Sequence, residues 1–110
     1  MQFKESFGCF IRKLREGKNL PIRKVAAHLD IDPSTLSKIE RDERSANKDM
    51  IKKLAEVLEH DNEEMLMLFL SDKVMYDLIE ESRAEEILRL AEQRIKYEKQ
   101  KRLHQGKLNI

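Results

Sequence analysis

With a single cysteine, Cys9, this chain of 110 residues cannot close an intramolecular disulfide, so packing alone must hold it together. It has no tryptophan, aromatics are 5% of its residues, and it carries only two prolines and three glycines. So little aromatic and turn-forming material disfavours a sheet protein and points to an all-α one. No stretch approaches the roughly 18 successive apolar residues of a membrane helix. The first residues also lack the apolar core of a secretory leader, so a cytoplasmic protein with no membrane contact is expected. His28, His60 and His104 are far apart, and no Cys/His/Asp group has metal-ligand spacing. A glycine-rich phosphate loop and a nucleophile elbow are both missing. The acidic pairs Glu63/Glu64, Glu80/Glu81 and Glu85/Glu86 read as solvated helix surface. The expectation is therefore no enzyme, no metal and no cofactor. Cys9, inside the apolar run Phe7–Ile11, is expected to be a small buried hydrophobe.

What the chain does have is charge, at 39% of its residues, and the charge comes in blocks. Residues 1–58 hold 13 Lys/Arg against 9 Asp/Glu, residues 59–92 hold 3 against 11, and residues 93–110 hold 6 against 1. An acidic middle between two basic ends argues for separate tasks along the chain, or more blandly for solvated helix faces.

The stretch Leu20–Arg44 organises the rest. Val25, Ala26 and Leu29 recur at helical spacing with Ile22 one turn earlier, and Leu36 and Ile39 lie three apart. Between these segments, Ile31 is the one apolar residue in Asp30-Ile31-Asp32, suited to plug the gap between two crossing helices. Asp32 suits an N-cap, and Pro33 suits the first helical position, where a missing N–H costs nothing. Two helices across so short a turn make a helix-turn-helix, whose second helix fits a DNA major groove.

The segment resembles the Cro/C1-type (XRE-like) bacterial regulators, the group of phage repressors and restriction–modification controllers. The resemblance runs from about Phe7 to Leu58. It rests on Val25-Ala26-x-x-Leu29-x-Ile31, on Ser34-Thr35-Leu36-Ser37-Lys38-Ile39-Glu40-Arg41 and on Leu54-Ala55. It implies a five-helix repressor-type DNA-binding domain with a C-terminal helical extension. It also implies a structural pair, Arg15 with Glu40, that fixes the angle between the first and third helices. Three positions depart from the family pattern. Ile22 stands where a glutamine is common, and Asp30 and Asp42 stand where glycine is common. Aspartate tolerates the left-handed backbone better than most residues, so both turns can form.

With Leu36 and Ile39 facing inward, Ser34, Thr35, Ser37 and Lys38 are the candidates for base edges. Arg23, Lys24, Arg41, Arg44 and Lys48 are the candidates for phosphate contact. A first helix is predicted from Phe7, with a buried stripe at 7, 10, 11 and 14 and a stop at Gly17 and Asn19. A fourth spans about Lys48–Leu58, and a fifth begins at Asp61 or Asn62. The run Met65–Leu70 is too apolar for one helix face, so part of it must meet the extension or a second subunit.

A DNA-binding domain over residues 1–70 and an extension over 71–110 are expected. Ser82 and Glu85 would open the last helix as a capping box, and a basic tail would end it. Leu66, Phe69, Val74, Leu78, Ile87, Leu88, Ala91 and Ile95 are the dimerisation candidates. The reading is a homodimeric regulator that binds double-stranded operator DNA, represses by occupying a promoter or activates by contacting RNA polymerase. The alternative is a protein-interaction module, an antitoxin or adaptor, working through residues 65–70 and the C-terminal helix.

Overall fold

A computed structural model describes residues 4–108, with side chains described as far as Gln105. The described chain is helical: α1 (Phe7–Gly17), α2 (Ile22–His28), α3 (Pro33–Glu40), α4 (Lys48–Val57), α5 (Asn62–Leu78) and α6 (Ala84–Leu108). It divides into two compact units, Met1–Met75 and Tyr76–Ile110.

The first unit is built as its spacing predicts. Phe7, Phe10 and Ile11 of α1 are buried, with Leu14 packed against them. They meet Val25, Ala26 and Leu29, then Leu36 and Ile39, then Ile51, Leu54, Ala55 and Leu58. Ile31 is half-buried against this core, as a residue plugging the bend should be. α5 closes it with Met65, Leu68 and Phe69, and the Phe69 ring stands edge-on to Phe7 at 5.4 Å between centroids. Cys9 departs from expectation and is half-buried, because it lies off the stripe that the neighbouring phenylalanines define.

Each of α1 to α4 ends in the same device without using glycine. Asn19, Asp30, Asp42 and Glu59 take left-handed φ of 53–59°. The residue after each returns its N–H to a carbonyl five positions back: Leu20 to Arg15, Ile31 to Ala26, Glu43 to Lys38 and His60 to Ala55. Asparagine and aspartate bear this conformation readily, but Glu59 does not. Its side chain makes an exposed ion pair with Lys18 at 3.2 Å, which offsets little of the strain. Glu59→Gly is expected to stabilise the unit by about 0.5–1 kcal/mol. It removes a strain of about 1–2 kcal/mol, less the extra chain entropy of glycine. A urea midpoint at or below wild type would contradict this.

Asp42 does more than turn the chain. Its Oδ1 accepts from the Gly8 N–H at 3.2 Å, and its Oδ2 accepts from the Ser6 hydroxyl at 2.6 Å. Ser6 Oγ in turn accepts from the Cys9 N–H at 3.1 Å, and Asp72 of α5 accepts from the Phe7 N–H at 2.7 Å. Three first-turn N–H groups of α1 thus find side-chain oxygens, two of them carboxylates at the positive end of the helix dipole. α1 is thereby fastened to both the end of α3 and the middle of α5.

α4 is capped by Asn47, whose side chain accepts from the Met50 N–H at 3.0 Å. Asp61 serves α5 in the same way through the Glu64 N–H at 2.9 Å. α5 then runs unbroken past residue 70 to Leu78, and the Ser71 hydroxyl donates back to the Leu68 carbonyl at 2.9 Å within it. In the second unit, α6 opens at Ala84, two residues beyond Ser82. The Arg83 carbonyl accepts from the Ile87 N–H, and the Arg83 guanidinium pairs with Glu86 at 2.6 Å. No helix among the described residues is long and apolar enough to cross a membrane.

Candidate nucleic-acid interface

α2 and α3 pack on each other across the turn at Leu29–Asp32, and α3 also packs on α1. Pro33 takes the first position of α3 as expected. Asp32 stands at the cap with extended backbone, but its side chain makes no capping bond; its carbonyl accepts from the Thr35 and Leu36 N–H groups.

The register of α3 sorts its side chains. Leu36, Ile39 and Glu40 point into the fold and are buried. Ser34, Lys38 and Arg41 are exposed, while Thr35 and Ser37 are half-buried at the margin. Positions 34, 37, 38 and 41 recur every three or four residues, so they form one continuous outer stripe. Arg23 and Lys24 on α2, Arg44 in the following loop and Lys48 at the start of α4 are all exposed.

The angle of this stripe to the core is fixed by an ion pair beneath it. Arg15 and Glu40 meet through two parallel bonds: Nε to Oε2 at 2.7 Å and Nη2 to Oε1 at 2.9 Å. Nη1 donates to the Leu20 carbonyl at 2.9 Å, which ties in the loop before α2. Glu40 is the one buried charged residue among those described. The hydrogen bond to Glu40 raises the Arg15 guanidinium above its ordinary pKa. The structure thus brings together the pair that the resemblance implied, and the full-strength geometry is that of a fork on a carboxylate.

At the end of α3 the sequence reading missed a partner. Arg41 does not stand free: its Nε and Nη2 donate to the Glu43 carboxylate at 3.2 and 3.1 Å. Its Nη1 donates to the Ser37 hydroxyl at 2.5 Å. Glu43 lifts the Arg41 pKa above its ordinary value, and Arg41, with a smaller push from Lys38, lowers that of Glu43. One base-edge candidate and one phosphate candidate are therefore linked to each other and to an acid. The signal was the Arg-Asp-Glu order after the helix, since a left-handed residue between the two folds them back together.

Among the described residues no cluster of three or more His, Cys, Asp or Glu side chains is placed to hold a metal ion.

The outer stripe and the packed pair beneath it belong to a known arrangement. Residues 11–59 match the family model described as helix-turn-helix. They form a Cro/C1-type, XRE-family helix-turn-helix domain. No curated protein and no solved structure matches the chain. The match covers 49 of the 110 residues, and a domain of this kind supports double-stranded DNA binding by a regulator of the XRE type. Within it α3 occupies the place of the recognition helix and α2 that of the helix crossing the backbone.

Of the dimerisation candidates, Phe69 is 4% exposed and part of the core. Leu66 and Leu78 are half-buried, and Val74, Ile87, Leu88, Ala91 and Ile95 are exposed. Helical rotation explains the difference: Met65, Leu68 and Phe69 share the face that closes the first unit, which leaves Met67 and Leu70 outward.

Proposed function

We propose that this protein is a sequence-specific transcriptional regulator that binds a two-fold-symmetric operator as a homodimer. The observation that carries this reading is the exposed stripe of α3, held at a fixed angle within a helix-turn-helix domain. α3 enters the major groove, where Ser34, Thr35, Ser37 and Lys38 face base edges. Lys38 reaches guanine acceptors, and the Thr35 methyl meets a thymine methyl. Arg23, Lys24, Arg41, Arg44 and Lys48 hold phosphates and set the register. Occupation of a promoter represses, and contact with RNA polymerase from the bound site activates. Reversing Lys38 and Arg41 to glutamate tests the assignment. The double variant is expected to lose at least 100-fold in duplex affinity with its helical circular dichroism unchanged, because both residues lie at the surface. Retained affinity would move the DNA contact elsewhere.

Glu43 enters the same account as a competitor. A phosphate at Arg41 competes with the carboxylate that now takes two of its five N–H donors. Glu43→Gln is expected to tighten binding to any duplex several-fold and to steepen the salt dependence by about one unit of slope. A weaker complex would mean that Glu43 serves to aim Arg41.

A further inference from the structure

The last helix holds a block of cations that the chain leaves without partners. From Gln93 to Gln105 there are five Lys/Arg residues against one glutamate, and all five are exposed. Earlier in the second unit the bases are supplied with acids: Arg83 pairs with Glu86 and Arg89 with Glu85. Lys96 is the last base so served, by Glu92 at 3.0 Å. Among the described residues Arg94, Lys99, Lys101 and Arg102 make no ion pair, although Glu98 lies about one turn from both arginines.

Helical geometry gathers these four charges. Lys101, Arg94, Arg102 and Lys99 follow one another around about 160° of the helix and along roughly 12 Å of its length. Arg94, Lys99 and Arg102 also line one shallow groove with Ala91, Ile95 and Glu98. Lys99 and Arg102, three positions apart, repel each other, so the block is unfavourable for the helix by itself. Nor does the stretch have an apolar face for a membrane surface. Lys99 stands between Ile95 and Leu103, and Tyr97 lies on the far side of the helix.

We infer that the basic end of α6 is a second contact to duplex DNA, one that grips phosphates without reading sequence. A duplex carries one negative charge per about 1.7 Å of its axis, so a compact group of cations meets several phosphates whatever the bases. The helix-turn-helix domain of the same chain brings the duplex to α6 at the high local concentration of a tethered site, where weak contacts suffice. This contact rests on the DNA-binding reading above and adds to it.

The salt dependence of duplex binding by the full chain tests it. One variant combines Arg94→Gln, Lys99→Gln, Lys101→Gln and Arg102→Gln, since glutamine keeps the helix. A control removes the same charge at other exposed positions, by Arg12→Gln, Lys13→Gln, Lys52→Gln and Lys53→Gln. The α6 variant is expected to flatten the slope of log affinity against log salt by about two to four units, at roughly 0.9 per phosphate. Its affinity at low salt should fall roughly tenfold or more, while the control moves the slope by less than about one unit. The sequences that the α6 variant selects from a random duplex library should stay those of the wild type. An equal shift in the control would reduce the effect to net charge and overturn the inference, as would an altered base preference. An unchanged slope would overturn it too, and binding of the wild type alone to anionic lipid vesicles would then assign the block to a membrane surface. A wild type that enriches no sequence would overturn the sequence-specific reading alone, because the slope is measured on any duplex.

Discussion

Replacing either Arg15 or Glu40 with alanine is expected to cost about 3–5 kcal/mol of folding stability. The cost is not the worth of one ion pair. Glu40 is buried, and without Arg15 its carboxylate would sit in the core with neither solvent nor a cation. Without Glu40, the Arg15 fork would keep only the Leu20 carbonyl among the three bonds it now makes. A small domain has about 5–15 kcal/mol in total, so either variant should be largely unfolded in mild urea. The double variant Arg15→Met, Glu40→Leu should recover much of the loss, because apolar partners leave no charge stranded. If the single variants lost less than about 1 kcal/mol, the pair would be a surface contact in effect, and its role in setting α3 against α1 would fail.

Gly8→Ala is the second large effect, expected at about 3 kcal/mol, the upper end of the range for forcing extra volume into a packed site. A Cβ on residue 8 would stand 2.4 Å from the Ile39 carbonyl oxygen, 2.8 Å from that of Glu40 and 2.6 Å from Asp42 Oδ1. Two of the three obstacles are backbone, so no rotamer relieves them. α1 would have to lift off the end of α3, and the caps that Asp42 supplies to Gly8 and Ser6 would stretch with it. Because α3 carries the outer stripe, the change should also weaken DNA binding under conditions where the protein remains folded. Gly17, by contrast, meets nothing within 4 Å, so Gly17→Ala serves as the control and should be neutral or slightly stabilising. Equal urea midpoints for the two alanine variants would contradict the close approach of α1 to α3.

The parts of this fold that were legible in the sequence are the local ones. Apolar spacing located α1 to α4 to within a residue or two, and Pro33 marked the start of α3. The family resemblance marked the turns at Asp30 and Asp42, where glycine is common, and aspartate takes the left-handed backbone at both. What escaped is mostly long-range. That Asp42 and Asp72 would serve the start of α1 depends on contacts 34–65 residues apart, which no local pattern encodes. Gly8 has no turn to explain it; its reason is a neighbouring carbonyl. An extension was expected from residue 71, whereas α5 runs across that point to Leu78, with the Ser71 hydroxyl bonded back to the Leu68 carbonyl. Phe69 shows the remaining limit. Spacing marks which residues are apolar along α5, but only the position of α1 decides which of them turn inward.

The central claim is specific recognition of a symmetric operator through α3. Selection from a random duplex library at two salt concentrations, followed by sequencing of the bound pool, tests it most directly. The account predicts enrichment of one two-fold-symmetric site with half-sites about one helical turn apart, retained at the higher salt. Binding that enriches no sequence and disappears at the higher salt would be attraction to phosphate alone, and would contradict it.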